Sequence, residues 1–418
     1  MTSVSRRAFF AAAAAAGASL AGRTTAAADP GVANLAPLTG GVPPIAPAER
    51  GERLERVQAL MQQRKFAALL VEPGATLEYF TGVRWHRSER TTAALIPASG
   101  RTVVVTPFFE EPSVRETLQI PADVRTWQED ESPFELLAAA LHERQDLPGP
   151  LAVEATTRYF IVERVGKASP GVHGMVPADE LIGPCRMHKS AAELALMQAA
   201  NNVTLAALRH VHGRITAGMS AADIQALMIA ATGQLGGVHE FSLVLLNEAS
   251  AYPHGSLVPQ LVRSGSVILI DTGCSVHGYQ SDISRSWVFG EASARQRQLW
   301  DTVKRGQQLA LESARLGAPV GAVDRAVRDF YEQQGWSRNY RLPGLSHRTG
   351  HGIGMDVHEP PYLVRSDTTP LQAGMCFSDE PGLYIPGEFG IRLEDCWYMT
   401  AGGPKLFTAL ARSIDQPV

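Results

Sequence analysis

Four cysteines in 418 residues are too few for a scaffold held by disulfides, and positions 185, 274, 376 and 396 offer no Cys-x-x-Cys pair for zinc. Aromatic residues make up only 7% of the chain and charged residues 19%. No basic run stands out, and 38 Lys and Arg against 42 Asp and Glu leave a net charge of −4. That balance argues against a nucleic-acid partner, which calls for a clustered basic footprint. No apolar stretch has the length and the Leu, Ile and Val content of a bilayer-spanning helix, so no stable membrane anchor is expected. A His-Glu-x-x-His pair, a Gly-x-Ser-x-Gly elbow, a phosphate loop and a dinucleotide fingerprint are all missing. What is left, at 45% hydrophobic residues, is a soluble globular chain long enough for two or three domains.

Residues 1–28 read as an address and not as fold. Ser5-Arg6-Arg7-Ala8-Phe9-Phe10 sets paired arginines ahead of an Ala-rich run, and Ala26-Ala27-Ala28 supplies small residues for cleavage. The pattern resembles a twin-arginine export signal and predicts a periplasmic or secreted mature protein. Residues 29–48, rich in Pro and Gly, predict an extended leader without a core of its own. A helix follows over residues 49–64, with Leu54, Val57, Leu60 and Met61 at helical spacing. Apolar runs at 66–71, 92–96, 102–106 and 151–153 alternate with helical patterns such as 134–144. Residues 49–185 therefore predict a small α/β domain.

A second domain is expected over residues 186–418. Ser190-Ala-Ala-Glu193 is a capping-box pattern opening a helix to about residue 211, and Ser220 with Asp223 repeats the device. Two strand pairs follow, 267–271 with 282–288 and 375–380 with 391–398, and helices over 292–315 and 320–334 lie between them.

Each strand pair carries two acids, Asp271 with Asp282 and Glu380 with Glu394. Period-two alternation puts Asp271 on the same face as Val267 and Leu269, where a carboxylate is costly unless something neutralises it. Converging carboxylates repel strongly at low dielectric, and a pair of divalent cations resolves that repulsion. His347, His351 and His358 crowd into one Gly-rich segment, and His254 precedes Asp271 by 17 residues.

Asp271 and Asp282 eleven residues apart, then His351, Glu380-Pro-Gly-Leu-Tyr384 and Arg392-Leu-Glu394-Asp395, resemble the site of the pita-bread metallopeptidases. That group includes aminopeptidase P, prolidase, methionine aminopeptidase and the metal-free creatinases. Residues 185–400 carry the likeness, and residues 48–184, with Leu77-Glu-Tyr-Phe-Thr-Gly82, resemble the creatinase-type N-terminal domain. The implied fold is an α/β creatinase-like N-terminal domain followed by an α+β pita-bread catalytic domain. By the resemblance Asp271, Asp282, His351, Glu380 and Glu394 are ligands of two divalent metal ions, with Asp282 and Glu394 bridging. One histidine with four carboxylates favours Mn(II), and Co(II), Zn(II) and Fe(II) are compatible. His254 and His358 match the family's histidines beside the ligands, and His347 matches the extra one of aminopeptidase P-like members.

The implied function is an exported exopeptidase that hydrolyses Xaa-Pro bonds in small peptides, as an aminopeptidase or a dipeptidase. A metal-bridging hydroxide would attack and Glu380 would shuttle its proton. The alternative is a non-peptidase hydrolase or lyase acting on a small amidic substrate at the same metals. Ser378-Asp379, where the family more usually has Thr-Ile or Thr-Val, keeps that alternative open. For the substrate, Tyr384 and His347 are candidate walls of a proline pocket, and Arg392 and Arg365 are candidate clamps for a carboxylate. Trp85 is a candidate to reach a neighbour's pocket, since members of the family are often homodimers or homotetramers. Cys274 and Cys396 are expected to be buried thiols, with a disulfide formed after export left open.

Overall fold

The computed structural model describes residues 31–144, 146–170 and 174–418; the export-signal pattern lies outside the described residues. The N-terminal domain is built on a mixed six-stranded sheet in the order Ala122–Trp127, Thr102–Pro107, Ala93–Pro97, Ala68–Val71, Leu151–Val153, Met175–Pro177. Its central strands are buried along their whole length, because helices cover the sheet on both faces. Helix Pro47–Arg64 begins on a proline, whose fixed φ suits a first helical turn.

The Pro/Gly-rich leader is less independent than its composition suggests. Ile45 is buried in the main core, and Val32, Leu35 and Val42 pack against it. The Leu38 N–H donates to the Leu235 carbonyl at 2.9 Å, which fastens the leader to the end of helix Ala221–Gln234. Isolated apolar residues among prolines leave no periodic signal, so this docking is invisible in the sequence pattern.

In the second domain, Ser190 and Ser220 close reciprocal capping boxes with Glu193 and Asp223, opening helices Ala191–His212 and Ala221–Gln234. Strand Ser266–Val276 runs between Val238–Leu246 and Ile283–Phe289. Asp271 is the single residue of that strand not fully buried. A second sheet holds Glu359–Leu363, Gly350–Gly352, Cys376–Asp379, Asp395–Thr400 and Gly403–Leu406 in that order. Helices Ala294–Ser313 and Gly321–Gln333 pack with this sheet around a second core that includes Trp300, Tyr331, Phe377 and Trp397.

One expected strand, 391–398, is in fact two. Gly390–Arg392 pairs with Gly382–Tyr384, whereas Asp395–Thr400 pairs with Cys376–Asp379. Pro381 sits at the break, where it cannot donate to a ladder, so both chains change sheet there. Glu380 and Glu394 occupy that shared interruption, which frees their side chains to turn to one side. Gly350 and Gly352 permit another close approach. A Cβ at Gly350 would lie 2.3 Å from the Ser378 carbonyl oxygen, and one at Gly352 would lie 2.4 Å from that of Glu359.

The domains share one core, which includes Leu77 and Tyr79 from the first and Met197 and Cys274 from the second. Buried polar contacts cross the same boundary. Arg53 donates to the Tyr279 hydroxyl at 3.0 Å, and that hydroxyl donates to Glu193 at 2.9 Å. Farther along, Glu359 accepts from Lys189 at 2.5 Å and from Arg186 at 2.7 Å, and Arg186 also donates to Thr76 of the N-terminal domain. All four cysteines are buried free thiols.

Candidate metal centre

A cavity of about 800 Å³ opens where the two sheets of the second domain meet. Asp271, Asp282, His351, Glu380 and Glu394 line it together, with His254, His347, His358 and Arg392. Side-chain donors within 4.8 Å of one another form three overlapping groups: Asp271, Asp282 and Glu394; His351, Glu380 and Glu394; Asp282, His351 and His358. Glu394 belongs to the first two groups, and Asp282 to the first and third.

The local chemistry fits cations. Burial, with the repulsion of Glu394, Asp271 and Glu380, pushes the Asp282 carboxyl well above the usual carboxylate range. Glu394 is raised well above it too, by burial and by Asp271 and Glu380. Glu380 is pushed up to about 8, by burial first and then by Asp271, against the pull of Arg392. Asp271 Oδ1 and Asp282 Oδ1 are buried without a hydrogen-bond partner. Orphaned acceptors beside mutually repelling acids are what a divalent ion would satisfy.

His351 completes the case. Its Nδ1 lies 3.1 Å from the Gly352 carbonyl, which can only accept, so the proton sits on Nδ1. The Nε2 lone pair is then free, and it faces Asp282 Oδ2 at 3.6 Å and Glu380 Oε1 at 3.5 Å. Those separations are wide for hydrogen bonds, yet two ligands each about 2.1 Å from a common ion lie roughly 3–3.5 Å apart. Burial, with the His358 ring tilted against it at 3.9 Å, pushes the His351 imidazole down to about 3, so it stays neutral and able to ligate.

Supporting contacts hold the acids in place. Ser284 donates to Glu394 at 2.7 Å and accepts from Arg392 at 3.0 Å. Behind Glu394, Arg285 grips Asp395 at 2.6 and 3.2 Å and donates to the Glu394 carbonyl at 2.7 Å. Gln307 and Thr408 also donate to Asp395. This buried fork fixes the backbone from which Glu394 projects.

The substrate residues expected from sequence fare less well. Arg392 lines the cavity but is already committed: its donors go to Asp271 at 2.6 Å, Ser284, the Tyr384 hydroxyl and the Pro253 carbonyl. It is an internal ion pair and not an open clamp. Arg365 lies outside the cavity, where it donates to Asn339 and stacks 4.9 Å over Tyr340. Tyr384 is fully buried behind the cavity wall. It bridges the site's supports, since its hydroxyl donates to His347 Nε2 at 2.7 Å and accepts from Arg392 at 3.1 Å. His347 Nδ1 donates to the Arg348 carbonyl at 2.7 Å, so both of its ring nitrogens are taken. Trp85 is half-buried, stacks on His86 and is not among the residues lining the cavity. Sequence reasoning passed over Phe241, Leu243 and Arg348, which do line it. Phe241 and Leu243 alternate along a strand facing Asp271, a signal that the pairing of strands alone could turn toward the site.

Comparison with known proteins agrees with this geometry. Residues 195–401 match metallopeptidase family M24, and residues 53–188 match the creatinase/prolidase N-terminal domain. The chain is 31% identical to a protein of Mycobacterium tuberculosis named probable dipeptidase PepE, over 84% of this chain and 92% of that one. It is 28% identical to a Xaa-Pro dipeptidase of Lactobacillus helveticus, over 85% of this chain and 96% of that one. The crystal structure of dipeptidase PepE from Mycobacterium ulcerans superposes with a TM-score of 0.77 at 30% identity, covering 88% of this chain and 97% of that one. The fold is thus a creatinase-type N-terminal domain on a pita-bread catalytic domain, and the chain belongs to metallopeptidase family M24.

Proposed function

We propose that the protein is a dinuclear metal-dependent exopeptidase that hydrolyses Xaa-Pro bonds in small peptides. The observation that carries this reading is the convergence of four carboxylates and one neutral imidazole on a single cavity, with Asp282, His351 and Glu394 each shared between two donor groups. Asp271, Asp282, His351, Glu380 and Glu394 are the proposed ligands, and of the three shared donors the carboxylates of Asp282 and Glu394, with two oxygens each, are the proposed bridges, since His351 has one free lone pair. Mn(II) is the proposed metal, because an oxygen-rich donor set with one nitrogen is a hard site. The Xaa-Pro preference draws on the Lactobacillus helveticus relative.

Bound divalent ions would supply a nucleophile near neutral pH and polarise the scissile carbonyl. The remaining work falls to the chain. Glu380 is the acid placed to move a proton: its side chain is 15% exposed, against 5% for Asp282, and no arginine grips it. Asp271 is similarly open but is held by Arg392. His254 and His358 stand at the cavity mouth, where an imidazole N–H can donate to the oxygen on which charge develops. Tyr384 keeps His347 and Arg392 in register beneath them. The Ala-rich segment after Arg6-Arg7 supports export by the twin-arginine route to the periplasm or beyond, and a homodimer or homotetramer is proposed by likeness to the family.

The test is product release from Ala-Pro and Ala-Pro-Ala by protein loaded with Mn(II). Release of free alanine from either peptide is expected. Two bound metals with no cleavage of either would overturn the peptidase reading and turn the search to non-peptide amides.

A further inference from the structure

A second cavity, of about 430 Å³, lies between the domains and shares Asp356 and His358 with the metal cavity, so the two adjoin across those residues. Glu154 and helix Asp179–Arg186 wall it on the N-terminal side, and strand Glu359–Leu363 walls it on the catalytic side. Ile182, Met187, Pro360 and Tyr362 give it an apolar lining. Four carboxylates line it as well, those of Glu154, Asp179, Asp356 and Glu359, and Arg186 is the single basic side chain there apart from His358.

The nearby cations are spent on two of these acids. Arg186 divides its donors among Thr76, Asp356 and Glu359, at 2.9, 2.7 and 2.7 Å, and Lys189 donates to Glu359 at 2.5 Å. Arg348, stacked 4.2 Å over the Tyr362 ring, lines the metal cavity and not this one. Glu154 and Asp179 form no ion pair among the described residues. Glu154 Oε2 is buried and accepts no hydrogen bond, and burial holds this carboxyl above the usual range against the pull of Thr76 and Arg186. A buried acceptor without a donor is costly, so a ligand that brings a donor is favoured. Apolar walls with surplus carboxylates fit a long cationic side chain, whose methylenes lie on apolar surface while the charged head meets the acids. By the Xaa-Pro reading the residue after the cleaved bond is proline, whose ring carries no charge, so the cation belongs to the residue before it.

We propose that this interdomain cavity receives the side chain of the residue preceding proline, and that Glu154 and Asp179 make the protein favour lysine or arginine there. The inference rests on the Xaa-Pro exopeptidase reading and deepens it by naming the side chain that the site selects.

The experiment compares Lys-Pro with norleucyl-Pro, whose side chain is that of lysine without the ammonium, using Mn(II)-loaded protein. Wild type is expected to favour Lys-Pro by roughly 10- to 100-fold in kcat/KM, as for one charge-assisted contact. Glu154→Gln, which keeps the shape and removes the charge, should bring that ratio close to one. Asp179→Asn, at an exposed position where the fold tolerates change, should lower the ratio by a smaller factor. A readout independent of turnover is calorimetric binding of L-lysine against L-norleucine. Wild type should prefer L-lysine and Glu154→Gln should not discriminate. A wild type that cleaves norleucyl-Pro as well as Lys-Pro, or a preference that survives both substitutions, overturns the subsite while leaving the peptidase reading intact. A preference for Ala-Pro-Lys over Ala-Pro-norleucine that is absent from the dipeptides overturns the assignment to the residue before proline. Two bound metals with no cleavage of any Xaa-Pro peptide overturn both readings.

Discussion

Stripping the metal should make the protein progressively less stable than its loaded form as pH rises from 6.5 to 8. The reason is the crowding of acids. Glu380 has an ordinary value of 4.5 and is pushed to about 8 in the folded metal-free site, and Asp282 and Glu394 are raised well above their ordinary values. A folded state with raised carboxyls binds more protons than the unfolded chain, so its stability falls with rising pH until the folded values are passed. The lowered histidines, His347, His351 and His358, act in the opposite sense, but only below their ordinary value of 6.5. From pH 6.5 to 8 the acids therefore dominate; Lys304, pushed down to about 8 by burial, begins to act in the opposite sense only at the top of that window, and outside the donor groups. At about 1.36 kcal/mol per pH unit, Glu380 by itself costs on the order of 2 kcal/mol across that window, and Asp282 and Glu394 add to it. Glu78 and Glu154 are raised as well, mainly by burial, and belong to none of the donor groups, so their effect is common to both forms, whereas Asp379, raised by burial, Asp395 and Glu380, works in the same sense as the site's acids. The assay is the thermal midpoint of chelator-stripped and Mn(II)-loaded protein at half-unit pH steps and one scan rate. The gap between the two curves should widen by several degrees toward pH 8. A gap that stays constant or narrows would refute the claim that repulsion among these acids is what the metal relieves.

Three further perturbations probe the supports. Arg285→Ala leaves Asp395 buried beside only Gln307 and Thr408, and breaking such a pair costs about 3–5 kcal/mol, read as a lower urea midpoint together with lower metal occupancy. Glu359→Ala removes the acid between Lys189 and Arg186, which ties Thr76 of the N-terminal domain to the residue after His358. Its expected outcome is faster proteolysis between the domains and a reduced kcat. Tyr384→Phe deletes only the hydroxyl joining His347 to Arg392, so metal content should hold while kcat falls by about tenfold, the cost of roughly one hydrogen bond in the transition state.

The cluster of four acids with His351 was legible because its signals are local. Alternation exposed Asp271 on a core face, and the spacing of His351, Glu380-Pro-Gly and Arg-Leu-Glu394 carried the family's pattern. Both capping boxes were equally plain. Whether an arginine is a clamp or an internal ion pair was not legible, because a cation's availability depends on partners far along the chain. Arg392 is neutralised by Asp271, 121 residues earlier. The broken strand could have been read from Pro381, which forbids a continuous ladder between residues 375–380 and 391–398. The docking of the leader and the clasp of Arg186, Lys189 and Glu359 are long-range contacts with no periodic trace.

Two metal ions held by these five residues are proposed to make the chain a peptidase for Xaa-Pro bonds. The most direct test of this proposal measures bound metal per chain and Ala-Pro cleavage in the same samples, for wild type and Asp282→Ala titrated with Mn(II). Wild-type activity should rise with occupancy to two ions per chain, and Asp282→Ala should neither retain both ions nor cleave. Full cleavage by the metal-free protein, or by Asp282→Ala, would contradict it.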